Sequence, residues 1–269
     1  MQLTLALSQI PPEKRLFPNE EARSIFVSLI ERGALVVLNH SGGKDSQAMT
    51  VHVSRLVPPD QLLIVHAPLG EMEWPRTLSH IRATAPSDVP FILAHTAQGK
   101  SLLDRVAERG MWPDPARRWC TADFKRTPIE REIRRYLKAH PQHHGLVISA
   151  MGLRAQESPG RARRTPWSLS TRNSRAGRRW YDWLPLHTHT TEEVFDTIRA
   201  AGQEPHWAYS CGATRVSCVF CIMGSQADLH TGARLNPELY RRYVALERRI
   251  AHTLSPSRRP LPEITGIAP

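Results

Sequence analysis

The sequence predicts a doubly wound, mainly parallel α/β sheet, and three features carry that expectation. Short apolar runs recur at Ala34-Leu35-Val36-Val37-Leu38, Leu62-Leu63-Ile64-Val65-His66, Phe91-Ile92-Leu93-Ala94 and Leu146-Val147-Ile148-Ser149-Ala150. Runs of this length without polar alternation read as strands buried on both faces, the habit of parallel sheets. Stretches of helical character separate them, so strand and helix alternate. Directly after the first run comes a glycine-rich turn, Ser41-Gly42-Gly43-Lys44-Asp45-Ser46. In such sheets a ligand sits at the C-terminal ends of the strands, where the strand order reverses.

Each element has its own signal. Asn19 is suited to cap a first helix, Glu20 and Glu21 favour its positive end, and Gly33 stops it. The turn at 41–46 leads into a helix over about 46–56, and further helices are expected from Trp74 to about Ala83 and from Ser101 to Glu108. Pro128 at a first helical position opens PIEREIRRYLKAH. After Gly152 the composition shifts. Residues 154–180 are rich in Arg, Ser, Thr and Pro and read as a long loop that orders only on binding. A short helix at about 191–201, a cysteine-bearing loop at 209–225 and a helix from Asn236-Pro237-Glu238 to about His252 follow, with a loose proline-rich tail after Ser255. The expected organisation is a helical segment at 1–33, a nucleotide-binding α/β core at 34–153, and a cysteine-bearing helical and loop extension at 154–269.

The 269 residues, 41% of them hydrophobic, are enough to bury a sizeable core. No apolar run approaches the roughly 18 residues of a membrane span. The opening MQLTLALSQIPPEK lacks the basic region of a secretory signal, so a cytoplasmic protein without membrane attachment is expected. The formal net charge is +11, and Arg154, Arg161, Arg163, Arg164, Arg172, Arg175, Arg178 and Arg179 crowd one stretch whose only acid before Asp182 is Glu157. Such density attracts phosphate, in a nucleotide or in a nucleic-acid backbone.

The turn at 41–46 has physical meaning because it joins a buried strand to a helix. Its glycines allow a tight turn and close approach, and the helix that follows aims free N–H groups and its positive dipole end at the same place. Lys44 adds a point charge, Ser41 and Ser46 add hydroxyl donors, and Asp45 is suited to orient the loop or help hold Mg²⁺. A Walker loop needs four residues between its first glycine and Gly-Lys-Ser, and they are missing. The motif instead resembles the PP-loop of the ATP pyrophosphatases, which cleave ATP between its α and β phosphates. The resemblance implies pyrophosphate held by Ser41, Gly42, Gly43, Lys44, Asp45 and Ser46, an adenylated intermediate, and His66 and Gly70 lining the nucleotide site.

Further stretches resemble the phosphoadenosine phosphosulfate (PAPS) reductase-like branch of that superfamily. They are Trp119-Cys120-Thr121 with Lys125 and Pro128, Gly152-Leu153-Arg154 with Glu157-Ser158 and Arg161, Pro185-Leu186 leading into Thr190-Thr191-Glu192-Glu193-Val194, and Tyr209, Gly212, Arg215, Cys218 and Cys221. They follow the family's order over roughly 34–225. The resemblance implies an adenine nucleotide alpha hydrolase-like fold, with Lys125, Arg154 and Arg161 on the nucleotide or substrate side; Lys44, Asp45 and Arg154 are the catalytic candidates. Several cations converging on a triphosphate agree with this. The chain departs from the sulfonucleotide reductases, since no Glu-Cys-Gly motif follows Cys221 and its phosphate loop is intact.

Cys218-Val219-Phe220-Cys221 is a C-x₂-C, with Cys211 seven residues before it and Cys120 after the third α/β unit. The spacing suits two thiolates on one metal, and all four cysteines would complete a Cys₄ site. A [4Fe–4S] cluster is the preferred occupant, Zn²⁺ the alternative, and a redox or persulfide-carrying pair without metal the third reading. The sequence is similar here to the sulfur-insertion ATPases of DNA phosphorothioation and to some tRNA thiolation enzymes. His187 and His189 are expected at the surface. The expected function is ATP-dependent adenylation of a substrate oxygen for sulfur transfer, on DNA or tRNA, with a cysteine desulfurase or other sulfur donor as partner. The alternatives are a sulfonucleotide reductase or sulfate adenylyltransferase, and a non-catalytic nucleic-acid-binding protein with structural zinc.

Overall fold

The computed structural model describes residues 16–97 and 99–269; residues 1–15 of the expected N-terminal segment lie outside the described residues. The chain forms two compact units, each drawing on segments from before and after residue 154: one holds residues up to His66, Ile81–Ile92 and Glu132–Pro205, the other Ala67–His80, Leu93–Arg131 and His206–Pro269.

The first unit is the α/β core. Asn19 caps α1 (Glu20–Glu31) by accepting from the Ala22 N–H at 2.9 Å, and Gly33 follows with φ +80°. Strands β1 (Leu35–Asn39), β2 (Leu62–His66), β3 (Phe91–Leu93), β4 (Leu146–Met151), β5 (Trp167–Leu169) and β6 (Arg179–Trp183) form one sheet in the order β3-β2-β1-β4-β6-β5. β1 runs parallel to β2 and to β4, β4 runs parallel to β6, and β5 pairs antiparallel with β6. The expected parallel α/β sheet is therefore present. The order reverses between β1 and β4, and α2 (Lys44–Ser54) leaves from the end of β1. α3 (Thr77–Thr84), α4 (Leu102–Arg109), α5 (Thr127–Ala139) and α6 (Thr191–Ala200) follow in chain order, the last closed by a Thr190–Glu193 capping box. α4 belongs to the second unit, and α3 and α5 cross the division between the two.

Residues 154–180 depart from the expected loop. They form a short helix, Pro159–Ala162, and the β5–β6 hairpin that extends the sheet. Its anchors are aromatic: Trp167, Trp180, Tyr181 and Trp183 are buried, and Phe17 stacks on Trp183 at 5.0 Å. Burying four large rings supplies what the arginines between them hide from a composition-based reading. His187 and His189 are also corrected, for both are buried rather than at the surface.

The second unit packs Trp74, Trp112, Phe124, Phe220, Tyr240 and Tyr243 into its own core. It contains α7 (Gln226–Leu235), for which the sequence reading assigned no element, α8 (Pro237–Ile250) and α9 (Leu261–Thr265). The tail after Ser255 is anchored, since Leu261 and Ile264 are buried and Glu247 accepts from the N–H groups of Leu254 and Leu261.

Candidate active site

The loop after β1 is built by its own short contacts. Gly42 takes φ +79°, a conformation suited to glycine. The Ser46 hydroxyl accepts from the Ser41 N–H at 3.1 Å and donates to the Gly43 carbonyl at 2.9 Å, so the turn is clipped to the first turn of α2. The Gly42 N–H donates to His40 Nδ1 at 3.1 Å, and His66 Nδ1 pairs with the His40 carbonyl at 2.9 Å. Gly43 is the N-cap of α2 and provides no side-chain cap. The helix therefore starts with uncapped N–H groups and its positive dipole end behind a glycine loop, the geometry that receives phosphate.

Two buried cations flank that helix start. Lys44 Nζ lies 3.3 Å from Asp45 Oδ2, and Arg154 Nε donates to Asp45 Oδ1. Arg154 is 2% exposed and is held by further bonds from Nη1 to Gln156 Oε1 at 2.9 Å and to the His189 carbonyl at 3.3 Å. Asp45 is thus a brace between two positive charges. Arg154 reaches this place from the loop after β4. Gly152 makes the approach possible, because a Cβ there would stand 2.7 Å from the Asp45 carbonyl carbon and oxygen. Asn39 ties the two strand ends together, donating to Ser149 Oγ at 3.0 Å and to the Ala150 carbonyl at 2.8 Å.

The structure therefore gathers Ser41, Gly42, Gly43, Lys44, Asp45, Ser46 and Arg154 at one place and sets His66 next to the start of the loop. Arg161 connects more indirectly: it pairs with Glu157, whose other oxygen accepts from the Arg154 N–H at 2.9 Å. Asn39 and Gln156 were missed by sequence reasoning. Nothing in their spacing marks them, since their roles come from the β1–β4 pairing and the turn after β4.

The remaining candidates belong to the second unit. Gly70 opens a short turn, Gly70–Met72, with φ +60°. Lys125 lies in a π-helical turn, Ala122–Arg126, directly before α5. Burial pushes the Cys120 thiol up, and it pushes Cys218 up to about 12; each also feels Cys221, while the Lys125 ammonium acts in the opposite direction on both. Cys120, Cys218 and Cys221 therefore form one group beside Lys125, and Cys211 enters none of these interactions. The backbone helps: Cys218 pairs with Glu73 in an antiparallel bridge, and the Val219 N–H donates to the Met72 carbonyl at 2.8 Å. The buried Tyr243 hydroxyl feels all three thiols and has no hydrogen-bond partner. Among the described residues, no three His, Cys, Asp or Glu side chains are set as a metal-holding group.

Residues 35–223 match the family described as the phosphoadenosine phosphosulfate reductase domain. The chain belongs to this family. The chain is 28% identical over 153 residues to an uncharacterized 37.8 kDa protein of Escherichia phage 186, covering 57% of this chain and 44% of that one. It is 22% identical over 213 residues to an uncharacterized protein of Methanocaldococcus jannaschii, covering 79% and 47%. The chain thus spans under half the length of the curated relatives it matches. Among solved structures, a PAPS reductase from Candida auris aligns with TM-score 0.47 at 14% identity, covering 81% of this chain and 92% of that one. An FMN adenylyltransferase from Candida glabrata aligns with TM-score 0.43 at 13% identity, covering 81% and 70%. Among the described residues no helix is long and apolar enough to cross a membrane.

Proposed function

We propose that this PAPS reductase family member is an ATP pyrophosphatase that adenylates a substrate oxygen and so prepares it for sulfur transfer. The observation that carries the reading is the buried Lys44–Asp45–Arg154 chain at the uncapped start of α2. A substrate oxygen attacks the α-phosphorus of ATP, the α–β bridging bond breaks, and pyrophosphate leaves. The loop N–H groups and Lys44 receive the charge that develops on the leaving pyrophosphate, and Arg154 stabilises the α-phosphate. Asp45 positions both cations. Mg²⁺ fits here as a guest of the phosphates, because each Asp45 oxygen keeps a lone pair beyond the one given to its cation. It would neutralise phosphate charge. A sulfur nucleophile then attacks the substrate atom that bears the activated oxygen, the bond to that oxygen breaks and AMP leaves carrying it, with a cysteine desulfurase or another sulfur donor as the source.

The substrate we assign is a nucleic acid, DNA or tRNA, for the chain carries net charge +11 and its β5–β6 segment holds exposed arginines. Cys120, Cys218 and Cys221, with Cys211 as the fourth, are assigned to a [4Fe–4S] cluster, in preference to Zn²⁺. The donor set suits it, and the unpartnered Tyr243 hydroxyl is a ready donor to sulfur. Such a cluster would supply sulfur or redox chemistry when bound. Anaerobic purification followed by iron, sulfide and zinc analysis tests the assignment; zinc without sulfide would replace it.

The family name itself supports a second reading, a sulfonucleotide reductase. The deciding experiment is product analysis of ATP incubated with protein and Mg²⁺, with and without DNA or tRNA. AMP and pyrophosphate, lost in Lys44→Ala, are expected. No cleavage of ATP together with reductant-dependent release of sulfite from PAPS would replace this proposal with the reductase.

A further inference from the structure

The second unit contains a cleft that the PP-loop chemistry does not use. Its volume is about 320 Å³, inside the range of small-ligand sites. Among the described residues, Lys100, Arg105, Arg109 and Arg131 line it together with one carboxylate, Asp123. Sequence spacing explains the convergence. Ser101 and Asp104 form a capping box that starts α4 directly after Lys100, and Arg105 and Arg109 then share one helix face at i, i+4. Across the cleft, Thr127 and Arg131 stand at i, i+4 on α5. The π-helical turn Ala122–Arg126 widens the helix just before them and brings Asp123 and the buried Phe124 to the floor. π turns of this kind are frequent at functional sites.

The cations are held in place by weak, exposed partners. Glu108 takes Lys100 at 2.5 Å and Arg105 at 3.1 Å, and Asp123 takes Arg109 at 3.1 Å. Arg109 also lies over the Trp119 ring at 4.5 Å, and Arg131 donates to the His95 carbonyl at 2.6 Å. Among its described lining residues the cleft is therefore predominantly cationic. Exposed ion pairs are weak, so a dianion can replace them at little cost. Guanidinium forks match phosphate oxygens in pairs, and the Thr127 hydroxyl adds a neutral donor. The apolar floor of Phe124 and Pro128 lowers the local dielectric and strengthens these bonds.

The geometry points to this cleft as a second phosphate-binding site, separate in sequence from the loop at 41–46, that takes the phosphoryl group of a nucleic-acid backbone or of a small phosphate ester. It stands without the ATP pyrophosphatase reading. The test uses the full-length protein and two probes at low salt: inorganic pyrophosphate by calorimetry, and a fluorescein-labelled single-stranded oligonucleotide by anisotropy. Arg105→Gln with Arg131→Gln is compared with Arg248→Gln with Arg249→Gln, which removes the same charge from exposed positions of α8. A loss of about tenfold or more in the cleft variant, beyond any in the α8 variant, is expected in at least one arm. Loss in the oligonucleotide arm alone assigns a backbone, and loss in the pyrophosphate arm assigns a small ester. Equal affinities of the two variants for both probes overturn the site. If the Arg131 substitution unfolds the protein, Lys100→Gln with Arg109→Gln, both on exposed side chains, gives the same comparison. Absence of AMP formation by the wild type would sink the pyrophosphatase reading and leave this result untouched.

Discussion

At Gly152 there is room for a hydrogen and nothing larger, since an added Cβ meets the backbone of Asp45 at 2.7 Å and the Ser46 nitrogen at 2.8 Å. Backbone cannot swing aside as a side chain can, so Gly152→Ala must push the β4 loop off the start of α2. Overpacking of this kind costs about 1–3 kcal/mol. Chemical denaturation should show that loss, and ATP affinity should fall with it; a variant of wild-type stability and ATP affinity would show that the loops do not meet as described. Arg154 tests the same contact by chemistry. Lys keeps the charge but cannot hold Asp45 through Nε while reaching Gln156 and the His189 carbonyl through Nη1. Arg154→Lys is therefore expected to lower kcat for AMP formation by about 10²-fold, the scale of losing an oriented charge in the transition state. Retained kcat with raised KM would instead assign Arg154 to ground-state binding.

Among the elements, the β5–β6 hairpin separates what the sequence shows from what it hides. Strands β1, β2 and β4 were legible because unbroken apolar runs have one good solution, burial on both faces. The loop at 41–46 was legible because its glycines, lysine and serines sit next to each other in sequence. The hairpin was not. Its arginines match its rings in number, and the signal lies in which residues are buried: Trp167, Trp180, Tyr181 and Trp183. The partners of Arg154 were equally hidden, for Gln156 and the His189 carbonyl join it only once the chain has turned after β4. An ordered hairpin also sharpens the nucleic-acid proposal, because Arg172 and Arg175 stand on an ordered turn and would bind without the cost of ordering its backbone. Replacing both with Gln should leave the melting temperature unchanged and reduce the salt dependence of DNA or tRNA binding by about 2 in the log–log slope. An unchanged slope would move the nucleic-acid surface elsewhere.

For the whole molecule, two histidines with strongly lowered values contribute to the response to acid, one in each compact unit. His52 is pulled down to about 4, first by burial and then by the charges of His189 and Arg55; its Nε2 pairs with Thr197 Oγ1 at 3.1 Å. His206 is also pulled down to about 4, by burial and then by His80 and Arg76, and its Nδ1 accepts from the Ala208 N–H at 3.2 Å. Both rings are neutral in the folded chain well below the ordinary value of 6.5. The unfolded chain binds these protons first, so it holds more protons than the native state between about 6.5 and 4, and stability rises with pH across that window. Their contribution is complete above 6.5 and is lost as pH falls toward 4. Since the histidines lie in different units, both units should weaken together rather than one melting ahead of the other. Melting followed at pH 7.5, 6, 5 and 4.5 should show a falling midpoint and one coincident transition. His52→Gln, which keeps a hydrogen-bonding side chain but cannot take up the proton, should flatten the decline. A midpoint that is level from pH 7.5 to 4.5 in the wild type would mean that neither imidazole is held neutral by the fold.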